Sequence, residues 1–430
     1  MLHLVSSLLP LLAPPALATE PVGDESAAAG VTSVTLSSTA SVADGQTIPE
    51  AAPPEKGPRP GERPTRRPPG PPPGNPGGPH GPPPDMTLRP VALVQLWGTL
   101  YDMDEDAQGD ATGYGDPEDD IGFKVKRARL GLVFEDDGVE AALVAGVAAP
   151  YDGLDTKNGD FTLYEAKVGY AKKGLGVSVG EQTVPFSRDA LMSSAQLSFT
   201  ERGLGAEHIA PYHQLGLLGT GEVAGLGVQL GVFNSGGGLF GDDNAGKTLV
   251  GRVEYTLGER DVYRFWDPKG KGFGLGVGGG GFLTQDVATQ TVAAGGDLMV
   301  RVSGLSLMGD FAWAQVNPVN SDVATPGVYD GATRMAITGQ LSYGIAEFEP
   351  AVRLSTYSDS DLGSWMQIFG GVVYHAKVGG RPDMLRVGLG YEHRDESETE
   401  LANDTARAWA QFSLPGKGAR PDMPERPPKR

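Results

Sequence analysis

The chain has 430 residues, of which 64 are glycine and 35 are proline, and it contains no cysteine. Without cysteine, a disulfide framework and a cysteine-ligated metal site are excluded. The formal net charge of −19 disfavours a nucleic-acid partner, because binding to nucleic acid requires a basic surface.

The N-terminus has the composition of a secretory signal. Residues 4–12 form a short apolar core, and residues 16–18, Ala-Leu-Ala, match a small-residue cleavage site. Pro10 and Pro14 would interrupt a buried helix or strand. We therefore expect residues 1–18 to be a signal peptide that directs the chain out of the cytoplasm.

Residues 19–90 are polar, small and rich in proline. Such a segment cannot bury a core, and its prolines cannot donate hydrogen bonds to a sheet. The sequence predicts a disordered periplasmic linker with polyproline II character. Two roles remain open for this linker: a solvated spacer, or a tether that contacts peptidoglycan through Arg66 and Arg67.

From residue 91 onward, apolar side chains alternate with small or polar ones. In residues 123–135, Ala128 and Leu130 share one face, and Arg127 and Arg129 share the other. This period of two is typical of β-strands. The predicted strands span residues 91–101, 122–135, 139–149, 161–172, 174–183, 213–222, 226–234, 247–257, 272–285, 292–303, 305–316, 332–343, 346–357, 365–378, 384–394 and 404–414.

These strands predict an all-β fold, an antiparallel transmembrane β-barrel of about 16 strands over residues 91–414. Segments of roughly ten residues match a tilted crossing of the hydrocarbon layer. Aromatic side chains such as Tyr170 and Tyr343 tend to end the apolar faces, as in an interfacial girdle. A basic, proline-rich tail follows at residues 415–430.

The connections between the predicted strands alternate between long and short. Long loops fall at 102–121, 150–160 and 184–212, with tight turns between them. Barrels of the Gram-negative outer membrane show this alternation, because their periplasmic turns are short and their surface loops are long. The segment 258–271 is an exception, since it is long where a short turn is expected.

Three stretches of the sequence resemble a known family. KRARLGL at 126–132 is followed by GEQTVPFSRDALMSSAQLSFTERGL at 180–204 and by YHQLGLLGTG at 212–221. In order and spacing, these segments resemble the phosphate-selective porins of the porin O and P type. The resemblance implies a sixteen-stranded trimeric channel whose third long loop, 184–212, folds inward and narrows the pore.

Pattern and resemblance together predict an outer-membrane porin, a passive diffusion channel for small hydrophilic solutes. Phosphate and other anions are the candidate solutes. The further expected partners are outer-membrane lipid and copies of the same chain in a homotrimer. The alternative function is a structural anchor that ties the outer membrane to peptidoglycan through the proline-rich arm.

An enzymatic site is not predicted. None of the six histidines lies in a serine motif, and the sequence G-x-S-x-G does not occur. The nine acidic residues between positions 102 and 120 lack the spacing of a calcium-binding loop. The glycine-rich run 274–281 is interpreted as a place where a strand packs closely or bends. The sequence therefore predicts no catalytic residue, no metal and no cofactor.

Basic residues on the inward faces are the predicted selectivity elements. They are Arg127, Arg129, Lys167, Arg252 and Arg301, with Arg353, Arg386 and Arg407 at equivalent positions. Rings of charge set the selectivity of a pore, and a guanidinium group matches phosphate or carboxylate oxygens. Acidic residues such as Glu254 and Asp297 share the inward faces, so pairing within the wall is the alternative role.

Loop 184–212 supplies the candidates for the constriction. They are Pro185, Phe186, Arg188, Arg202 and His208. Pro185 and Phe186 are predicted to anchor the loop against the barrel wall. Two roles remain equally open for Arg202, which follows Glu201: it lines the constriction, or it holds the loop to the wall.

Overall fold

The computed structural model describes ten segments of the chain. They are residues 86–102, 122–148, 161–235, 245–259, 261–266, 272–286, 288–319, 331–378, 381–396 and 402–414. The predicted signal peptide, most of the proline-rich arm, the acidic part of the first loop and the C-terminal tail lie outside the described residues.

Sixteen antiparallel strands form a closed barrel in which neighbours in sequence are neighbours in space and β1 pairs with β16. The predicted fold is therefore confirmed. The strands are β1 Thr87–Asp102, β2 Gly122–Asp136, β3 Val139–Ala148, β4 Phe161–Lys172, β5 Leu175–Thr183, β6 His213–Val223, β7 Leu226–Asn234, β8 Lys247–Gly258, β9 Phe273–Gln285, β10 Thr289–Val302, β11 Leu305–Pro318, β12 Ala332–Tyr343, β13 Phe348–Asp359, β14 Gly363–Val378, β15 Arg381–Glu396 and β16 Ala402–Leu414.

Strand β1 begins earlier than its predicted start at residue 91. Pro90 lies inside the strand and pairs with Leu132 of β2, whereas pairing with β16 begins only at Ala92. At Pro90 the strand therefore has one paired edge, and a proline without an N–H is tolerated there.

The inward and outward faces of the strands follow the predicted alternation. On β8, Leu249 and Val253 are about half exposed, whereas Val250 and Arg252 are buried. An apolar outer face is what a lipid environment requires. One irregularity changes the pattern on β2: a register shift opposite Gln95 and Leu96 leaves both Lys126 and Arg127 buried inside the barrel.

Short turns join the strands at one end of the barrel. The pairs Asp137–Gly138 and Lys173–Gly174 both have positive φ angles, as the tightest hairpin turns with a right-handed twist require. At this end an outward-facing ring of aromatic side chains surrounds the barrel: Tyr170, Tyr255, Phe273, Tyr343, Phe348 and Tyr374. This ring matches the predicted interfacial girdle.

At the opposite end the connections are less uniform than the sequence predicted. Residues 286–288 join β9 to β10, and residues 360–362 join β13 to β14, so two of the connections expected to be long are short. No helix among the described segments is long and apolar enough to cross a membrane.

Candidate pore and its inward segments

Residues 184–212, which we call the inward loop, leave β5 and enter the lumen before returning to β6. The loop contains two short helices, α1 Arg188–Leu191 and α2 Leu204–His208. Phe186 and Met192 are completely buried, and Phe199 is 1% exposed. The segment therefore folds into the lumen, as predicted. Its apolar side chains explain why it packs inside the barrel.

The barrel wall holds the inward loop through its backbone. Wall side chains donate hydrogen bonds to six loop carbonyls: Arg252 to Phe186 at 2.7 Å, Gln95 to Ser194 at 3.2 Å, Gln411 to Ala195 at 3.1 Å, Arg386 to Leu197 at 2.7 Å, Arg127 to Thr200 at 2.5 Å and Arg353 to Glu201 at 2.7 Å. A buried carbonyl without a donor is costly. The inward bases of the wall therefore satisfy the irregular backbone of the loop.

The root of the loop is fixed by a buried charge cluster. Asp297 of β10 accepts from Arg188 Nε at 2.9 Å and from Arg252 at 2.6 Å. Glu254 of β8 lies 3.0 Å from Arg188 and 3.2 Å from Arg252. All four side chains are less than 5% exposed. Removal of one member would leave an uncompensated buried charge, so the four groups act as a unit.

The glycine run of β9 makes room for this root. A Cβ atom at Gly276 would lie 2.8 Å from the Arg188 guanidinium, and one at Gly280 would lie 2.7 Å from the Phe186 carbonyl oxygen. A Cβ at Gly278 would clash with Arg252 and lie 2.8 Å from Asp297 Oδ1. The predicted close packing along 274–281 is thus explained: the inward loop lies directly against the strand backbone.

The tip of the loop pairs with the opposite wall. Glu201 lies 2.9 Å from Lys126 of β2 and 3.0 Å from Arg407 of β16. Burial raises the pKa of Glu201, but the nearby charges, chiefly those of Lys126 and Arg394, lower it to about 2. The register shift on β2 turns Lys126 inward, so it creates this ion pair. The strict alternation of the sequence did not predict this.

Helix α2 presents two titratable groups beside β13. Burial, and then the charge of Glu201, raise the pKa of Glu207 to about 7. Burial, followed by the positive charges of Arg394 and Arg334, lowers the pKa of His208 to about 4. The His208 ring lies 4.8 Å from the Tyr357 ring, so this predicted constriction residue is a neutral ring packed against the wall at neutral pH.

Residues 261–266, which we call the inward turn, form the second described segment inside the barrel. They lie in the connection that the sequence marked as too long for a short turn. Tyr263 and Phe265 are each 1% exposed, and the Tyr263 hydroxyl donates to Glu254. Arg301 of β10 donates to the carbonyls of Asp261 and Trp266, the latter at 2.7 Å.

The inward turn and the inward loop share one apolar cluster. It contains Leu191, Met192 and Leu197 from the loop, Val262, Tyr263 and Phe265 from the turn, and Met299 and Met308 from β10 and β11. A backbone hydrogen bond from Phe265 to Gln196 also joins the two segments, at 3.4 Å. The two segments therefore pack as one body.

A cavity of about 1480 Å³ remains between these segments and strands β2–β6, and its lining also includes residues of β1, β14, β15 and β16. It opens beside the short turns at Asp137 and Lys173, and it reaches as far as Arg129, Tyr164 and His213. The Arg129 guanidinium lies 3.4 Å from the centre of the Tyr164 ring, and the Tyr164 and His213 rings are 4.1 Å apart. This stack lies at the end of the cavity away from the short turns.

The predicted selectivity residues fall into two groups. Arg129 and Lys167 line the cavity, and Lys167 pairs with Glu165 at 2.8 Å. Arg127, Arg252 and Arg301 face inward as predicted, but they are at most 3% exposed and bind the inward segments. Arg127 and Arg301 donate to backbone carbonyls of the inward segments. Pairing with acidic side chains of the wall, the alternative role, is seen for Arg252 with Asp297 and for Lys167 with Glu165.

The predicted constriction residues are all inside the barrel. Phe186 packs edge-on against Phe282, at 5.1 Å between ring centres, and Pro185 beside it is buried. Arg202 donates to the carbonyls of Asp189 at 2.9 Å and Met192 at 2.5 Å. Arg202 therefore joins two parts of the loop to each other, and it also lines the cavity.

Besides Lys126, sequence reasoning missed residues of the inward turn. Trp266 stacks on His375 at 4.2 Å, and Arg264 lines the cavity next to it. One signal for these residues was the length of the connection 258–271. Its apolar residues at 262, 263, 265 and 266 follow no period of two, which could have marked them as buried by an irregular segment.

A family model described as Phosphate-selective porin O and P matches residues 101–262. The match runs from the end of β1 into the inward turn and includes the whole inward loop. It confirms the resemblance seen in the sequence. No curated protein matches the chain.

Solved porin structures are similar to the barrel. An anion-selective porin from Comamonas acidovorans is 12% identical, with a TM-score of 0.54 over 76% of this chain and 100% of that one. Outer-membrane expressed OmpT of Vibrio cholerae is 13% identical, with a TM-score of 0.52 over 77% of this chain and 98% of OmpT. OmpT in its trimer form is 13% identical, with a TM-score of 0.51 over 76% of this chain and 99% of OmpT. At such low identity, the similarity establishes the fold.

Proposed function

We propose that this chain, whose residues 101–262 match the phosphate-selective porins, is an outer-membrane porin through which small hydrophilic solutes diffuse passively. The observation that supports this most directly is the cavity of about 1480 Å³ inside a closed barrel. A lumen of this kind beneath an apolar exterior suits passage of solutes and not a packed structural core. Family and fold both point to a channel, and we infer that the chain performs no catalysis.

We further propose that the solutes are small anions, with phosphate as one candidate. The cavity is lined by eight basic side chains, Arg89, Arg129, Lys167, Lys172, Lys173, Arg202, Arg264 and Arg386. Six acidic side chains also line it: Glu135, Asp136, Asp137, Glu140, Glu165 and Glu222. This positive balance contrasts with the net charge of −19 for the whole chain. Lumen charge determines which ions a pore favours.

The assembly and the termini are part of the same proposal. We infer a homotrimer, by analogy with the trimer form of OmpT. We also infer that residues 1–18 are removed as a signal peptide and that the proline-rich arm is periplasmic. The supporting geometry is that β1 starts at the short-turn end, where Thr87 pairs with Glu135. The barrel and its relatives lend no support to the structural-anchor alternative.

The test is single-channel recording of refolded protein in a planar bilayer across a KCl gradient. We expect discrete conductance steps and a reversal potential with the sign of anion selectivity. Cation selectivity would overturn the anion proposal and leave the channel. If protein that has refolded into the barrel shows no conductance steps, the proposal that it forms a channel is overturned.

A further inference from the structure

The inward turn crosses the lumen from one side to the other. It starts at β8, where Tyr263 binds Glu254, and Arg301 of β10 holds it at Asp261 and Trp266. Ser306 of β11 donates to Phe265 at 2.5 Å. The Trp266 ring then stacks on His375 of β14, with 14° between the planes.

The inward loop covers the same wall from the other side. Arg188 lies against β8 and β10, Gly205 lies near Ala312 of β11 and Ala336 of β12, and Leu204 donates to Ser355 of β13. Phe199 packs on Phe369 of β14 at 4.1 Å. Loop and turn therefore fill the part of the lumen bounded by β8–β14, and the tip of the loop extends beyond it to β16, β1 and β2.

The part of the lumen bounded by β2–β6 is different. Among the described residues, the cavity is lined mainly by inward side chains of these strands, including Ala142, Val144 and Ser178, and by the half-buried edge of the inward loop at Ser193 and Gln196. Residues of β1 and of the inward turn complete the lining. Glycine, alanine and serine occur repeatedly on these inner faces, so the wall itself takes up little of the space.

We infer that the inward turn is a second constriction element, which together with the inward loop closes the β8–β14 side and confines solutes to an off-centre passage along β2–β6. This inference rests on the proposed channel function. Solutes then pass on one side of the barrel, and a connection at the short-turn end takes part in limiting permeation. The selectivity of the pore is then set by side chains on β2–β6 and on the loop edge, with Arg129 and Lys167 among them.

The absence of native cysteine allows a direct test by single-cysteine variants. We choose Val144→Cys on β3 and Ser178→Cys on β5 for the proposed passage. The matched controls are Ala312→Cys on β11 and Ala351→Cys on β13. All four positions are inward and less than 10% exposed, so they differ mainly in the side of the lumen they occupy.

Each variant is treated with a negatively charged methanethiosulfonate, and both single-channel current and protein mass are recorded. We expect modification and a loss of current at positions 144 and 178, and neither at positions 312 and 351. Equal modification on both sides, or modification only at 312 and 351, would overturn the inference. The measured protein mass tests the off-centre passage independently of the proposed channel function, because it reports access of the reagent to the lumen even if the protein conducts no current.

A second pair of variants tests the turn itself. Met308 of β11 is 1% exposed and belongs to the cluster shared by loop and turn. Met308→Cys in the full chain should not react with the reagent. The same substitution should react after residues 259–272 are replaced by Asn-Gly, with an increase in conductance. An unreactive thiol and unchanged conductance in the shortened, folded barrel would overturn the inference; Phe265→Ala provides a milder variant if the replacement prevents refolding.

Discussion

The strands β8–β14 and β2–β6 share one pattern in sequence but bound two different halves of the lumen. On β8–β14, arginines such as Arg252 and Arg353 are about 2% exposed and donate to the backbone of the inward loop. On β2–β6, Arg129 and Lys167 line a cavity, whereas Arg127, near the tip of the loop, donates to the loop backbone. An inward charge in this barrel therefore has one of two distinct roles. Which role it takes depends on the segment that faces it across the lumen.

The largest effect should come from the charge cluster at the root of the loop. Asp297→Ala removes the carboxylate that pairs with both Arg188 and Arg252. We expect a loss of about 3–5 kcal/mol in the free energy of unfolding, because two buried guanidinium groups lose their main partner. Urea unfolding of the refolded barrel measures it. Asp361→Ala, in an exposed turn, is the control and should change stability by less than about 0.5 kcal/mol.

Replacement by glutamine should affect stability at an inward base that binds the loop, and anion selectivity at an inward base that lines the cavity. Arg353→Gln removes the donor to Glu201 and should cost about 1.5–3 kcal/mol of stability, the range for hydrogen bonds to charged groups. Lys167→Gln, in the cavity, should leave stability nearly unchanged and reduce anion selectivity. Unfolding and reversal potential are measured on both variants. If Arg353→Gln altered selectivity more than Lys167→Gln, the division between the two halves would be wrong.

Two neighbouring glycines on β9 differ in whether they face the inward loop. Gly278 faces inward, where a Cβ would clash with Arg252, whereas a Cβ at Gly279 would lie 3.5 Å from the nearest atom, the Gly295 carbonyl oxygen. Gly278→Ala should cost about 1–3 kcal/mol through overpacking. Gly279→Ala should be close to neutral. Comparable losses in the two urea titrations would show that β9 needs glycine for some reason other than the loop.

The smallest effect concerns the tip of the loop and depends on pH. Because the folded pKa of Glu201 is about 2 and its ordinary value is 4.5, the ion pairs stabilise the fold above about pH 4.5. This contribution is lost as the pH falls towards about 2. Current noise from the loop should therefore increase over this acidic range. In Glu201→Gln the noise should be high already at neutral pH and nearly independent of pH; a wild-type response in this variant would exclude Glu201 as its source.

The alternation of side chains was sufficient to predict the barrel, because every strand must place one face on lipid and the other inward. All sixteen strands were found near their predicted positions. The site was less predictable, because it depends on irregular segments. Lys126 is inward only through a register shift, and Trp266 reaches the cavity only through the inward turn. Neither follows from a period of two.

The pairing of β1 with β16 has a consequence for how the protein assembles. Gln95 lies on β1 and Gln411 on β16; they bond to each other at 2.8 Å, and both donate to the inward loop. This part of the docking site for the loop is therefore complete only when the two ends of the barrel meet. Long-range contacts of this kind form late, so we expect this part of the loop to dock only in the last step of folding.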